Sequence, residues 1–308
     1  MPATSLPDLP VHRCRVRDGQ TLGYWRLGDG GYPLLLVHGF PETKRIWARN
    51  LEPLAAAGFD VIAPDLRGVG DSGPALDGFH DPPAYARDLR ALCDALGVER
   101  CGAVAGDVGA MVVSELSLRF RELVERQCLF NTLAPPLPEA YADAGIPEDP
   151  PPETRPEMDY FVRQAHDADG LLAELDTPER RRAYVAAMYT HRLWSASGAF
   201  SAEEVAYHTQ PFADAAALRA AVSIYELNGG KRALSEIPAL VQVSPVPTLI
   251  LYGPEDAVVT RHFPARMAIA FPGHAGPFEV RGAGHFLQWE QPEVLHGALR
   301  AFFRDVLD

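Results

Sequence analysis

Short apolar runs alternate with segments of helical periodicity over the first 130 residues. Four runs of apolar and β-favouring residues predict buried strands, at 32–37, 59–63, 101–105 and 124–130. The segments between these strands have helical spacing, at 46–57, 85–96 and 111–120. Before them, residues 12–17 and 21–27 flank Asp18-Gly19, a hairpin turn signal. Strands that alternate with helices in this way predict a mostly parallel, wound α/β sheet.

The pattern changes after residue 133. Residues 134–156 are rich in proline and acidic side chains and predict an extended linker, and residues 158–227 have helical spacing without a strand signal. The α/β pattern then returns, with strands at 247–252 and 278–280 and a closing helix at 293–306.

These changes predict one α/β core with an insertion. We expect the core to consist of residues 1–133 and 241–308, and residues 134–240 to form a helical cap. Function in a wound sheet lies at the carboxyl ends of the strands, so the cap would close over that edge and exclude water.

The turn after the strand at 101–105 is typical of a nucleophile elbow. Asp107 stands between two small residues, Ala105 and Gly109, and the chain turns there directly from strand to helix. A carboxylate at this position can attack a saturated carbon with a strained or good leaving group and form an ester, which water must then hydrolyse. The alternative is a buried aspartate that caps the helix.

Composition and charge exclude several partners and compartments. The formal net charge of the 308 residues is -13, which argues against nucleic acid or an anionic membrane as a partner. We expect neither a secretory signal nor a membrane span, because the N-terminal residues have no apolar core and no apolar run reaches about 18 residues. Its four cysteines lack metal-ligand spacing and predict reduced thiols in a cytoplasmic protein without a bound metal.

Two later stretches complete a pattern around Asp107. Residues 251–256 end a strand with Asp256, and residues 281–293 place His285 on a glycine-rich loop. The order of nucleophile, acid and histidine, together with the HGFPE and GHFLQWEQPE segments, resembles α/β-hydrolases. More narrowly, the chain resembles the epoxide hydrolase and haloalkane dehalogenase branch of that fold.

The resemblance implies a role for each matched position. Asp107 would be the nucleophile, His285 the base that activates water, and Asp256 the acid that orients the imidazole. The backbone N–H groups of Phe40 and Val108 would form the oxyanion hole. In this family the peptide bond that follows Phe40 is commonly cis.

The resemblance also implies hydroxyl donors on the cap. Tyr225 matches one of the family's two ring-opening tyrosines, with a buried core tyrosine as the alternative. The other donor should lie near residues 157–159, where neither Tyr nor His is present. Four residues are possible substitutes: Tyr160, Tyr184, Tyr189 and His191. Three cap side chains are candidates for contact with substrate: Tyr160, Tyr189 and Trp194.

Leaving-group chemistry separates the branches. Haloalkane enzymes hold halide with a Trp after the nucleophile and a donor at the position of Phe40, whereas haloacetate enzymes use arginines after the nucleophile. This chain has Val108, Met111 and Phe40 at those positions. We therefore expect a cofactor-independent epoxide hydrolase that acts on a small-molecule epoxide. A homodimer is a possible assembly. A dehalogenase, or an inactive ligand-binding member of the fold, remains the alternative.

Overall fold

One eight-stranded sheet forms the centre of the molecule. A computed structural model describes residues 9–28, 30–190, 196 and 198–307. The strand order is β1-β2-β4-β3-β5-β6-β7-β8, antiparallel for the pairs β1–β2 and β2–β4 and parallel for all the others. The strands are β1 His12–Arg15, β2 Thr21–Leu27, β3 Tyr32–Val37, β4 Phe59–Pro64, β5 Cys101–Gly106, β6 Val124–Phe130, β7 Thr248–Tyr252 and β8 His274–Glu279.

Helices cover the sheet, and a separate group of helices lies between β6 and β7 in the sequence. The α-helices are α1 Leu51–Ala56, α2 Pro82–Ala95, α3 Asp107–Arg119, α4 Pro138–Asp143, α5 Asp159–His166, α6 Ala168–Glu174, α7 Pro178–Thr190, α8 Ala202–Thr209, α9 Ala215–Glu226, α10 Phe263–Ala270, α11 Leu287–Glu290, α12 Pro292–Phe302 and α13 Arg304–Leu307. Short 3-10 turns lie at 17–19, 44–47, 152–154, 156–158, 210–213 and 232–234. No helix in the described ranges is long and apolar enough to cross a bilayer.

The central strands are apolar because both of their faces are buried. Every residue of β4 and β5 is buried, and so are the last four residues of β3. Edge strand β8 is only partly covered, and its Phe278 is 54% exposed. The prediction of a mostly parallel, wound sheet is confirmed, with the N-terminal hairpin β1–β2 as its antiparallel edge.

Residues 134–240, which we call the helical insert, contain no strand among their described residues. Helices α5 and α9 contact each other, and α7 packs on α8. The insert is hydrogen-bonded to the core at separate points. Arg155 donates to the carbonyls of Ala257 and Val258, and Arg45 of the core donates to the carbonyl of Tyr207.

Several boundaries differ from those expected from the pattern. Helix α2 begins three residues earlier than predicted, because the Asp81 side chain caps the Ala84 N–H at 2.9 Å and proline occupies the first helical position. Helix α3 begins at Asp107 itself rather than at 111. Strand β8 is longer than predicted, because Gly276 and Pro277 are unfavourable in strands and weaken the strand signal of its first residues. A short helix, α4, interrupts the predicted linker.

Candidate active site

Asp107 lies at a turn with no room for larger neighbours. It joins β5 to α3 with φ of 48°, in the left-handed region that non-glycine residues rarely adopt. A Cβ on Gly109 would lie 2.5 Å from the Val37 carbonyl oxygen, and one on Gly39 would lie 2.6 Å from Asp107. Small residues are therefore required for α3 to cross β3 this closely and hold the carboxylate above the sheet.

The two oxygens of the Asp107 carboxylate have different neighbours. Oδ1 accepts the backbone N–H of Phe40 at 2.7 Å, and Oδ2 lies 3.4 Å from Nε2 of His285. Val108 follows as the second residue of α3, where a backbone N–H has no acceptor within the helix. The hydroxyl of Thr132 donates to the Asp107 carbonyl at 2.8 Å and holds the elbow from the side of β6. The carboxylate thus has one oxygen in the expected oxyanion hole and one facing the histidine.

The turn that carries Phe40 is fastened by a buried carboxyl group. Glu42 accepts the Gly39 N–H at 2.6 Å and the Gln288 side-chain amide at 2.8 Å. Burial raises the pKa of Glu42 to about 7, and the nearby Asp107 charge acts in the same direction, whereas the two donors oppose the rise. The Phe40–Pro41 peptide bond is cis, as the resemblance implied.

His285 and Asp256 form a buried pair on the other side of Asp107. Nδ1 of His285 lies 2.8 Å from Oδ2 of Asp256, so Nε2 is directed at Asp107. Asn131 donates to the same Asp256 oxygen at 2.9 Å, and its own side-chain oxygen accepts the Gly253 N–H at 3.0 Å. Asp256 also accepts the Val258 N–H at 2.8 Å, so its two functions, partner to histidine and turn cap, coexist.

The charge state of His285 depends on its two carboxylate neighbours. Burial disfavours the imidazolium, but Asp256 and Asp107 outweigh it and hold the pKa of His285 well above its usual range. The histidine is therefore protonated at neutral pH. Any reaction that removes the charge of Asp107 removes one of the two interactions that keep this proton in place.

Glu290 shapes the loop that carries His285. Its carboxylate accepts the backbone N–H groups of Gly284 at 2.7 Å and Phe286 at 2.9 Å, on either side of the histidine. Burial raises the pKa of this carboxyl, and these backbone donors oppose the rise. The HFLQWEQPE segment thus contains both the histidine and, in Glu290, the carboxylate that holds the loop around it.

A cavity of about 110 Å³ opens in front of Asp107. Apart from Asp107, no described residue that lines it carries a formal charge. Its walls are mostly apolar and come from the start of α2, from α3, from the loops after β6 and β7, and from the parts of the helical insert in and next to α5 and α9. They are Pro82, Val108, Met111, Thr132, Leu133, Met158, Tyr160, Phe161, Ile224, Tyr225, Leu227, Asn228 and Val258. Met111 and Leu133 are 38% and 40% exposed, so this side of the cavity reaches solvent. The cavity suits a small, uncharged molecule.

Two phenols of the insert line the cavity together with Asp107. The rings of Tyr160 and Tyr225 are 6.0 Å apart, and that of Tyr225 stands edge-on to Phe40 at 5.0 Å. Burial and then the charge of Asp107 raise the pKa of both tyrosines well above the usual value. Both therefore keep their hydroxyl protons at neutral pH, which is the state required of a hydrogen-bond donor.

Tyr189 and Tyr184, two further candidates on the insert, have other contacts. Tyr189 is not among the described residues that line the cavity, and its hydroxyl donates to the Pro41 carbonyl oxygen at 2.7 Å. Tyr184 accepts a hydrogen bond from Gln164 at 2.9 Å. His191 and Trp194 lie outside the described residues.

Some parts of the site had no clear signal in the sequence. The contact between Glu42 and Gln288 joins residues 246 positions apart, and the Asn131 bridge joins the strands β6 and β7. Asn131 directly follows β6 with φ of 43°, a backbone conformation that the sequence does not reveal. Within the described ranges, no three His, Cys, Asp or Glu side chains are grouped to hold a metal ion.

Comparison with known proteins agrees with this architecture. The family model of the alpha/beta hydrolase fold matches residues 32–292, which is most of the chain. Over 95% of its length the chain is 28% identical to epoxide hydrolase A of Mycobacterium tuberculosis, of which the match covers 97%.

Two further likenesses are more limited. A soluble epoxide hydrolase from Corynebacterium sp. strain C12 is 38% identical over 123 residues, which are 40% of this chain and 42% of that protein. The solved structure of epoxide hydrolase CorEH without ligand has a TM-score of 0.81 at 22% identity, over 96% of this chain and 99% of that one, and shows the fold. The chain therefore belongs to the α/β-hydrolase fold family, among relatives that are named epoxide hydrolases.

Proposed function

We propose that the protein is an epoxide hydrolase that opens a small-molecule epoxide to a vicinal diol through an ester on Asp107. One observation carries the proposal. Asp107 faces two buried phenols, Tyr160 and Tyr225, across an apolar cavity, while a backbone donor and a histidine stand behind its carboxylate. Epoxide opening needs a nucleophile on one side of the ring and hydroxyl donors for the departing oxygen on the other.

In the first step, Oδ2 of Asp107 attacks a ring carbon, a C–O bond forms, and the ring C–O bond breaks. The electron pair remains on the epoxide oxygen, which takes a proton from a tyrosine hydroxyl. Ester formation removes the negative charge of Asp107, one of the factors that raise the pKa of Tyr160 and Tyr225. The phenols thus become better acids during the step that needs them, and the proton of His285 can restore the tyrosine that gave up its own.

In the second step, His285 acts as the base. The loss of the Asp107 charge lowers the pKa of the imidazole, so that the neutral ring takes a proton from water. The water oxygen attacks Cγ of Asp107, and Oδ1 becomes an oxyanion beside the Phe40 N–H. Collapse breaks the bond between Cγ and Oδ2, and the diol leaves with Oδ2 and with the second proton of the water, which it takes from the tetrahedral intermediate. His285 keeps the first proton, so the site returns to a carboxylate beside a protonated imidazole.

A single turnover in ¹⁸O-labelled water tests the covalent route. The enzyme in molar excess over an aryl epoxide should give mostly unlabelled diol in the first turnover, because the new oxygen comes from Asp107. Digestion should then find ¹⁸O in the peptide that contains residue 107. A first product that is fully labelled would mean direct attack by water and would contradict the nucleophile assignment.

Leaving-group preference tests the choice between epoxide and halide. Phe40 and Val108 offer no side-chain N–H at the positions where haloalkane dehalogenases hold halide, whereas phenol hydroxyls suit a departing oxygen. Styrene oxide should therefore be turned over while 1-bromobutane and fluoroacetate remain nearly inert. Faster release of bromide than opening of any epoxide would replace this proposal with the dehalogenase one.

A further inference from the structure

Tyr189 connects the helical insert to both halves of the catalytic machinery. It lies in the last turn of α7 and is 1% exposed, and its hydroxyl donates to the Pro41 carbonyl oxygen at 2.7 Å. Its ring is stacked on that of Phe286, with ring centroids 4.4 Å apart and planes 13° from parallel. Phe286 directly follows the base His285, and Pro41 directly follows the oxyanion donor Phe40. The Tyr189 side chain therefore contacts both the residue that follows the base and the residue that follows the oxyanion donor.

We propose that Tyr189 is a positioning residue that holds the oxyanion turn and thereby sets the rate of ester hydrolysis, not the rate of ester formation. The inference rests on the proposed function, since it assigns Tyr189 to one of the two chemical steps. Tyr189 acts through Phe40 and is not among the described residues that line the substrate cavity.

The turn of residues 39–42 is held from two sides. On the core side, Glu42 accepts the Gly39 N–H and the Gln288 amide. On the insert side, the Tyr189 hydroxyl contacts the carbonyl of Pro41, the residue after the oxyanion donor. Loss of this contact leaves the turn fastened at its core side alone, so the Phe40 N–H keeps its place near Asp107 but is less well aligned.

The two chemical steps depend on the Phe40 N–H to different degrees. In the resting enzyme this N–H donates to the Asp107 carboxylate at 2.7 Å. Alkylation converts the charged acceptor into a neutral ester carbonyl, so the hydrogen bond weakens on the way to the ester. Hydrolysis converts the carbonyl into an oxyanion, so the bond strengthens. A poorly aligned donor therefore slows hydrolysis and leaves alkylation nearly unchanged.

The test is Tyr189→Phe, which removes one oxygen atom and keeps the ring on Phe286. Since kcat/KM of an irreversible alkylation reports only the steps up to the ester, it should stay within about twofold of wild type. The loss of one neutral hydrogen bond should lower kcat about 5- to 10-fold, and KM should fall by the same factor. Mass spectrometry of acid-quenched enzyme should find a larger alkylated fraction at steady state.

Tyr141→Phe is the matched control. The hydroxyl of Tyr141 donates to the Pro135 carbonyl at 2.5 Å, so the variant loses the same kind of bond away from the site. Its kcat, KM and alkylated fraction should equal those of wild type. Rates of ester hydrolysis are expressed per alkylated site, so a smaller folded fraction of Tyr189→Phe cannot by itself appear as slower hydrolysis.

Two outcomes would overturn the inference. If kcat and kcat/KM of Tyr189→Phe fall together, the residue acts before or during alkylation. If hydrolysis per alkylated site equals that of wild type, the hydroxyl serves only to pack the insert on the core. A wild-type enzyme that never forms an ester would instead contradict the proposed function itself, which is a separate result.

Discussion

Nε2 of His285 lies 3.4 Å from Oδ2 of Asp107, close enough to hold a water molecule against the ester that Asp107 would form. Under the proposed mechanism the histidine would be needed to break that ester and not to make it. His285→Gln should therefore accumulate alkylated enzyme when it is mixed with an epoxide, with turnover lowered by on the order of 10²-fold or more. Intact-protein mass spectrometry should find one adduct of the mass of the epoxide.

Asp107→Ala is the control for this experiment and should gain no mass under the same conditions. An adduct that survives Asp107→Ala would place the nucleophile elsewhere. A His285→Gln enzyme that is folded but never alkylated would show that the imidazole acts before the covalent step.

Tyr160 and Tyr225, the two phenols that line the cavity, should both contribute to ring opening. Tyr160→Phe and Tyr225→Phe each remove one donor to the departing oxygen, and each should slow alkylation by on the order of 10²-fold. The double variant should be slower than either single one. Rapid-quench measurement of ester formation separates this effect from hydrolysis.

Tyr184→Phe is the comparison that makes the assignment specific. Tyr184 bonds to Gln164 and is not among the described residues that line the cavity, so alkylation should stay within about twofold of wild type. If Tyr184→Phe is slow and Tyr160→Phe is unaffected, the second donor has been assigned to the wrong residue of the insert.

Gly109 should tolerate no side chain. A methyl group there would meet the carbonyl oxygens of Val37 and His38 at 2.5 and 2.6 Å, which are backbone atoms that cannot rotate away. Gly109→Ala should lower the free energy of unfolding by about 1–3 kcal/mol and reduce alkylation, because α3 and Asp107 shift together. Denaturant unfolding measures the first effect and adduct formation the second.

Gly297→Ala is the matched substitution in the exposed part of α12, where nothing lies within 4 Å of the added Cβ. It should raise the free energy of unfolding by about 0.5–1 kcal/mol, because alanine loses less backbone entropy in a helix. A stable, fully active Gly109→Ala would mean that the elbow does not need a small residue after the nucleophile.

A buried histidine at the joint between insert and core should destabilise the fold in acid. Burial, aided by Arg45 and Arg49, lowers the pKa of His208 to about 3, and its ring lies 4.3 Å from that of Trp289. The unfolded chain binds a proton near pH 6.5 and the folded chain does not, so the free energy of unfolding falls as the pH drops below 6.5. The loss due to His208 is about 2 kcal/mol at pH 5.

His208→Phe keeps an aromatic ring and removes the titrating group. The fall in the free energy of unfolding between pH 7 and pH 5 should be smaller than in wild type by about 2 kcal/mol. Denaturant unfolding at both pH values measures it, and the other buried histidines cancel in the comparison. Identical pH profiles for the two proteins would show that His208 is protonated in the folded state as readily as in the unfolded chain.

Local patterns were sufficient to predict the core of the fold. Tyr32–Val37 and Cys101–Gly106 are apolar because both faces are covered, so their strands could be recognised from the sequence alone. Strand β8 was harder to predict, because Gly276 and Pro277 weaken the β signal where tertiary pairing with β7 determines the structure. The start of α2 depended on a cap, Asp81, that lies before the periodic segment.

The site was predictable where it depends on motifs and not where it depends on packing between segments. Asp107, Asp256 and His285 each follow a strand that reaches the same edge of the sheet, so their proximity could be inferred. The position of Tyr160 against Tyr225 depends on how α5 packs on α9, and the role of Tyr189 depends on where α7 meets the turn after β3. Such contacts join distant segments and leave no spacing to detect.

The two halves of the site lie on strands with very different cover. Asp107 follows β5, in which every residue is buried, whereas His285 follows β8, an edge strand that is half covered. Partial unfolding that begins at this edge would displace His285, the proposed base, before it disturbs Asp107, the proposed nucleophile. Damaged molecules would then consume one epoxide each and stop, so an ageing preparation would become a stoichiometric scavenger before it becomes inert.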